Sequence, residues 1–307
     1  MRQGIFIILP LLALLAALFL PGCAYLETDP ILAKLERSKR NAKPLPTPVY
    51  RMSPAEAYPD NPQAQALVKA AIKGDVKGID RLIDAGADPN AVGAYGKTVP
   101  GWVLYHPNKA GFKRLLERGA DPNIIWYDGK RTQYSLLHLA TYMSDRLGID
   151  YLKMCLDIGK GNPNLEPPDR RERPIAVAVE KDNIAALFLL EEHGAGIHFV
   201  MHSGDHTVTL AEHAAGYRNY RILLYLLNKG VLYNTAKRTY DDMHSLIESE
   251  MFEDFARTPK SPSYMWFWRC VDLLEKRGMK FHYGIAIRPA VLDTTPPDDL
   301  GKAHQPQ

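Results

Sequence analysis

Apolar and polar positions alternate along this chain in four distinct regimes. Ile5 to Leu20 is an unbroken uncharged block of sixteen residues. It follows the positive Arg2 and is short for a membrane-spanning helix, so it reads as a secretory leader. From Ala24 to Pro62 there are seven prolines, including Pro44, Pro46 and Pro48, and no sustained periodicity after Arg40. That composition predicts an extended spacer. Beyond Pro62 the pattern turns helical and stays so. Ile79-Asp-Arg-Leu-Ile-Asp-Ala, Phe112-Lys-Arg-Leu-Leu-Glu-Arg, Leu187-Phe-Leu-Leu-Glu-Glu-His and Cys270-Val-Asp-Leu-Leu-Glu-Lys each place apolar residues at helical spacing and end at a glycine. Those glycines, Gly86, Gly119, Gly194 and Gly278, predict left-handed caps that stop the helices. The last stretch, 285–307, carries prolines and few apolar residues and reads as a disordered tail.

The helical region also repeats. Ala85-Gly-Ala-Asp-Pro-Asn90 and Arg118-Gly-Ala-Asp-Pro-Asn123 place their glycines 33 residues apart, and weaker copies follow at Gly159-Lys-Gly-Asn-Pro-Asn164, Gly194, Gly230 and Gly278. Counting 21 residues back from the turn glycines reaches Gln65, Thr98, Arg173 and Thr209, the expected starts of the first helix of each unit. Ser135-Leu-Leu-His-Leu-Ala140 and Arg173-Pro-Ile-Ala-Val-Ala178 are similar to the T-P-L-H-x-A signature of ankyrin repeats. The chain thus resembles an ankyrin-repeat protein over about residues 62 to 284. The resemblance implies an all-α solenoid of about five repeats with a degenerate C-terminal capping repeat, interrupted at Arg257 to Pro262. Small residues such as Ala70-Ala71 and Ala214-Ala215 fit close approach of neighbouring units.

Leu20-Pro21-Gly22-Cys23, directly after the apolar block, resembles the bacterial lipobox. This implies cleavage after residue 22, lipidation of Cys23, a tether over 23–61 and a repeat domain over 62–284. Ala24, rather than Asp, follows the cysteine, which by the sorting rule of enteric bacteria implies the periplasmic face of the outer membrane. Several acyl chains anchor stably where one is marginal. Cys155 and Cys270, the other two cysteines, have no CxxC or metal-type spacing and read as buried apolar side chains.

Composition is that of an ordinary folded protein: 46% hydrophobic, 24% charged, net charge +3 over 307 residues. Interspersed charge with no basic stripe argues against nucleic acid as a partner. Ala91 to Thr98 contains Gly96-Lys97-Thr98 and mimics a phosphate loop, yet it follows a repeat turn rather than a buried strand. His198, His202, Asp205 and His206 form the densest ligand cluster, a candidate metal finger between the fourth and fifth repeats. Its four-residue spacing in a loop does not put the side chains on one face, so no metal or other cofactor is expected. Ser203 beside it is too close in sequence for a triad. With no nucleophile elbow or dinucleotide fingerprint either, the expectation is a non-catalytic protein.

The resemblance implies that the concave face binds another protein. Seven and eight residues after the start of each first helix, this face offers Tyr105 and His106, Tyr142 and Met143, Glu180 and Lys181, then Gly216 and Tyr217. The finger between the second and third repeats is four residues longer than the period and holds Trp126, Tyr127, Arg131 and Tyr134. Aromatic and arginine side chains dominate binding hot spots. Together with Tyr95 in the preceding finger these residues form the expected patch. The partner is then a toxin, with the chain a monomeric immunity protein occluding it, or else an envelope enzyme or assembly that the chain scaffolds.

Overall fold

The computed structural model describes residues 52–127, 133–168, 172–203, 206–233, 242–252 and 262–283, together with Arg288. The leader, Cys23 and the spacer up to residue 51 lie outside them, as do the interruption at 257–261 and nearly all of the C-terminal stretch. The described residues are mostly helical, with thirteen α-helices and two small hairpins. The helices are α1 (Pro54–Ala57), α2 (Pro62–Lys73), α3 (Val76–Asp84), α4 (Val99–Tyr105), α5 (Lys109–Glu117), α6 (Leu136–Leu147), α7 (Asp150–Asp157), α8 (Pro174–Glu180), α9 (Ile184–Glu192), α10 (Leu210–Gly216), α11 (Tyr220–Asn228), α12 (Met243–Phe252) and α13 (Pro262–Lys276). Strands β1 (Trp126–Tyr127) and β2 (Gln133–Tyr134) pair antiparallel, as do β3 (Val200–Ser203) and β4 (His206–Thr209).

These helices come in pairs, α2 with α3 through α10 with α11, and the first members pack in one row: α2, α4, α6, α8, α10 and α12. The starting positions expected from sequence are caps in four units. Thr98 Oγ1 accepts from the Gly101 amide, Ser135 Oγ from His138 and Thr209 Oγ1 from Glu212, while Arg173 stands at the same place without a side-chain cap. Asp242 extends the register by a further 33 residues and accepts from the Ser245 amide. The first unit departs from it. Gln65 lies inside α2, because Asn61 caps a helix that begins one turn earlier, at Pro62.

The folded unit also starts earlier than position 62. Ser53 and Glu56 form a capping box on α1, and Tyr58, 3% exposed, donates its hydroxyl to the Lys97 carbonyl at 2.6 Å. At the other end Arg288, in the stretch read as tail, bonds Glu275 at 2.8 Å.

Gly86, Gly119, Gly194, Gly230 and Gly278 all have φ between +76° and +94°, so the left-handed caps stand as expected. In the third unit the left-handed residue is Lys160, φ +54°, one position after the expected Gly159. Beyond these caps runs a chain of asparagines. Asn90 accepts from the Asp121 amide at 2.7 Å and donates to the Gly119 carbonyl at 2.9 Å. Asn123 does the same to Asn162 and Lys160, at 2.6 and 3.3 Å, and Asn164 to Gly196 and Gly194, at 2.7 and 2.8 Å. Each turn thus holds the next by its exposed peptide groups, which would otherwise face only water.

Burial follows the same pairing. Trp102, Phe112, Leu115, Leu136, Leu137 and Leu152 are fully buried between successive units, and Tyr220, Phe267 and Trp268 fill the last interface. Cys155 and Cys270 are free and fully buried, and burial pushes both thiols well above their usual range. Units approach closely at Gly111, where a Cβ would lie 1.9 Å from the Ala71 carbonyl oxygen.

Candidate functional site

The row of first helices brings successive units side by side. Tyr105 and Tyr142 stand seven residues after their caps, Thr98 and Ser135, at equal register. Tyr105 is half-buried and accepts a hydrogen bond from Lys97 Nζ at 3.0 Å. Lys97 is itself 9% exposed. His106 is exposed and stacks on the buried Trp102, ring centroids 5.9 Å apart. Tyr142 is 45% exposed, and Lys181 of the next unit lays its ammonium 3.8 Å from the ring centroid. A cation over an aromatic face contributes about 0.5–2 kcal/mol. Tyr217, 47% exposed, is the residue that ends α10, eight positions after Thr209, and its ring lies beside that of His213.

Two expected contact residues are inside. Met143 is 7% exposed because α6 runs one turn further than α4, so its eighth position falls on the buried stripe of Ala140, Met143 and Ser144. In α4 the helix has already ended there, which leaves His106 outside. Trp126 is also 7% exposed: it sits at the base of its hairpin, opposite Tyr134, and packs towards the 3₁₀ turn Ala94–Gly96. Both are packing residues rather than exposed contacts. Tyr134 is half-buried, its ring 6.5 Å from that of His138. Arg131 lies outside the described residues, as do the side chains of Tyr95 and Tyr127.

Ser135 and His138 form a buried polar pair in the same helix row. His138 Nδ1 lies 2.9 Å from Ser135 Oγ, and Nε2 lies 2.8 Å from the Glu172 carbonyl oxygen. Burial pushes the His138 pKa down to about 4, against the weaker opposing effect of the Glu172 bond. Serine and histidine at this distance have the outline of a nucleophilic pair. Ser135, however, is completely buried and caps α6 with the same oxygen, so its work here is to start a helix.

The histidine finger is an antiparallel hairpin, not the loop expected from sequence. His202 pairs with Thr207 and His206 with Ser203, so the two histidines occupy neighbouring rungs and do not face each other across the strands. Their side chains lie outside the described residues; His198, before the hairpin, is exposed. Next to it an open apolar cavity of about 180 Å³ is lined by His198, Phe199, Val200, Thr209, Val231 and Leu232. The segment resembling a phosphate loop is a short turn closed by a bridge between Val92 and Thr98, with no parallel sheet among the described residues.

One group escaped the reading of the sequence. Glu172, just before α8, Glu180, at its end, and His213 of α10 bring one ligand atom each within 4.8 Å of one another. The signal available was the 33-residue spacing of Glu180 and His213, which is one period. No family model matches the chain, and no curated protein matches it.

Proposed function

We propose that this chain is an ankyrin-repeat protein without catalytic activity that binds another protein through the face made by the seventh and eighth positions of its first-helix units. In this reading the chain is exported, lipidated at Cys23 and held at the periplasmic side of the outer membrane. The observation that carries it is the pair Tyr105 and Tyr142, repeated at equal register, with Tyr142 exposed and its ring oriented by Lys181. A large ring already fixed by a neighbouring unit loses little rotamer freedom on binding, the property of a hot-spot residue. The partly exposed polar groups of the same face, His106, Glu180 and Lys181, supply the rim.

A photo-activatable phenylalanine analogue at position 142 tests this in cells. The expected result is one discrete adduct with an envelope protein, and none from the same analogue at Lys113, which is exposed on the second-helix row. Equal adducts from both positions, or none from 142, would contradict the reading. Occlusion of a toxin is the role we favour for the partner. It predicts that deletion leaves cells sensitive only to a toxin-producing sister strain, whereas a support role predicts a defect in pure culture.

A further inference from the structure

We propose that Glu172, Glu180 and His213 form a binding site for a divalent first-row transition-metal ion, of which zinc is the best match. The three residues come from separate segments: the loop before α8, the end of α8 and the middle of α10. Two carboxylates and one imidazole are oxygen and nitrogen donors of the kind zinc takes, and their combined charge balances a dication.

Their geometry needs only small adjustment. Donors bound to one zinc at about 2.1 Å stand roughly 3.4 Å apart in a tetrahedral shell, and the three atoms already lie within 4.8 Å of one another. The difference is within reach of glutamate side-chain rotation, while the backbone around the site is held. His138 Nε2 lies 2.8 Å from the Glu172 carbonyl oxygen, and the His213 ring is flanked by Tyr217 at 4.8 Å between centroids. All three residues are half-buried, so the fourth position of a tetrahedron stays open to water or to a partner's side chain. Lys181 Nζ, 3.7 Å from Glu180 Oε1, faces the site from the same unit and competes with the cation for that carboxylate.

An ion there would tie α8 to α10, adjacent first helices in the row. It would therefore raise stability with the logarithm of the free ion concentration once that exceeds the dissociation constant.

The test uses the full chain, purified in detergent without a polyhistidine tag, with zinc chloride as the probe. Calorimetry should give one zinc per chain. His213→Gln and Glu180→Gln should each lower the affinity at least tenfold, while the joint replacement of His198, His202 and His206 by alanine leaves it unchanged. Zinc should raise the melting temperature of the wild type and not of His213→Gln. Cobalt provides a measurement that needs no variant, since a bound ion with an imidazole ligand gives visible absorption that zinc displaces. Absence of saturable binding to the wild type would overturn the proposal. So would binding that survives His213→Gln and is lost in the triple histidine variant.

Discussion

Replacing Asn123 by alanine should loosen the array at one interface by an amount the geometry allows us to estimate. The side chain accepts from the Asn162 amide at 2.6 Å and donates to the Lys160 carbonyl at 3.3 Å, joining the second turn to the third. The first bond has ordinary strength; the second is at the long limit and adds little. A net contribution of about 1 kcal/mol per good bond, with water free to reach the exposed peptide groups, gives a loss of about 1–1.5 kcal/mol. For a chain with a urea m-value near 3 kcal/mol/M this moves the midpoint by up to roughly 0.5 M. Asn164→Ala should cost more than Asn123→Ala, because both of its bonds to the following turn are short, at 2.7 and 2.8 Å. Asn123→Asp keeps the acceptor for the Asn162 amide and loses the donor, so it should lie between wild type and alanine. Because stability in a stacked array is carried by nearest-neighbour contacts, the m-value itself should fall if the two sides begin to unfold separately. Equilibrium urea unfolding followed by far-ultraviolet circular dichroism measures both quantities. Changes below about 0.3 kcal/mol in both alanine variants, with m unaltered, would refute the idea that these asparagines couple the turns.

Three further outcomes are expected. Gly111→Ala should destabilise the protein strongly, because the new Cβ would meet the Ala71 carbonyl oxygen of the neighbouring unit at 1.9 Å, whereas at Gly78 the near atom is the movable Asp75 side chain at 2.1 Å; thermal melts of the two variants should separate clearly. His138, with its folded pKa lowered to about 4, stays neutral while the unfolded histidine takes up a proton near pH 6.5, so it costs stability progressively as pH falls from 6.5 to 4, on the order of 3 kcal/mol in total, and His138→Gln should flatten that limb of the stability–pH curve. The His193–Asp157 pair, 2.9 Å apart, works in the opposite sense at higher pH: the Asp157 hydrogen bond raises the His193 pKa, so its contribution is present below the unfolded value and is lost as pH rises through the raised one. His193→Ala should therefore remove stability at pH 6 and almost none at pH 9, read from urea midpoints at the two values.

Much of this architecture is legible in the amino-acid sequence. Thr98, Ser135 and Thr209 announce helix starts because a hydroxyl that can reach the third amide is a local device that needs no tertiary context. Gly86 and Gly119 announce helix ends for the equally local reason that φ near +93° suits glycine. What failed depended on neighbours. Met143 reads as the counterpart of His106 until α6 proves one turn longer than α4. Trp126 reads as a contact residue on a long finger, but the strands place it at the base, paired with Tyr134, where it is buried. Val200 to Thr209 looks like a polar loop because its short alternation surrounds two histidines and a serine, and pairing alone reveals the hairpin. The Glu172, Glu180 and His213 group is invisible to any local pattern, since residues from successive units meet only after the array has stacked.

If the first-helix face is the binding surface, its exposed rings must carry the affinity for the partner. A partner isolated by cross-linking from position 142 can be titrated against the wild type, Tyr142→Ala and the Tyr105→Ala/Tyr142→Ala double variant, with melting temperatures recorded alongside. Tyr142 is 45% exposed, so its removal should leave folding nearly intact. The prediction is a loss of affinity of at least tenfold for Tyr142→Ala and a larger loss for the double variant. Unchanged affinity in a folded double variant would contradict it.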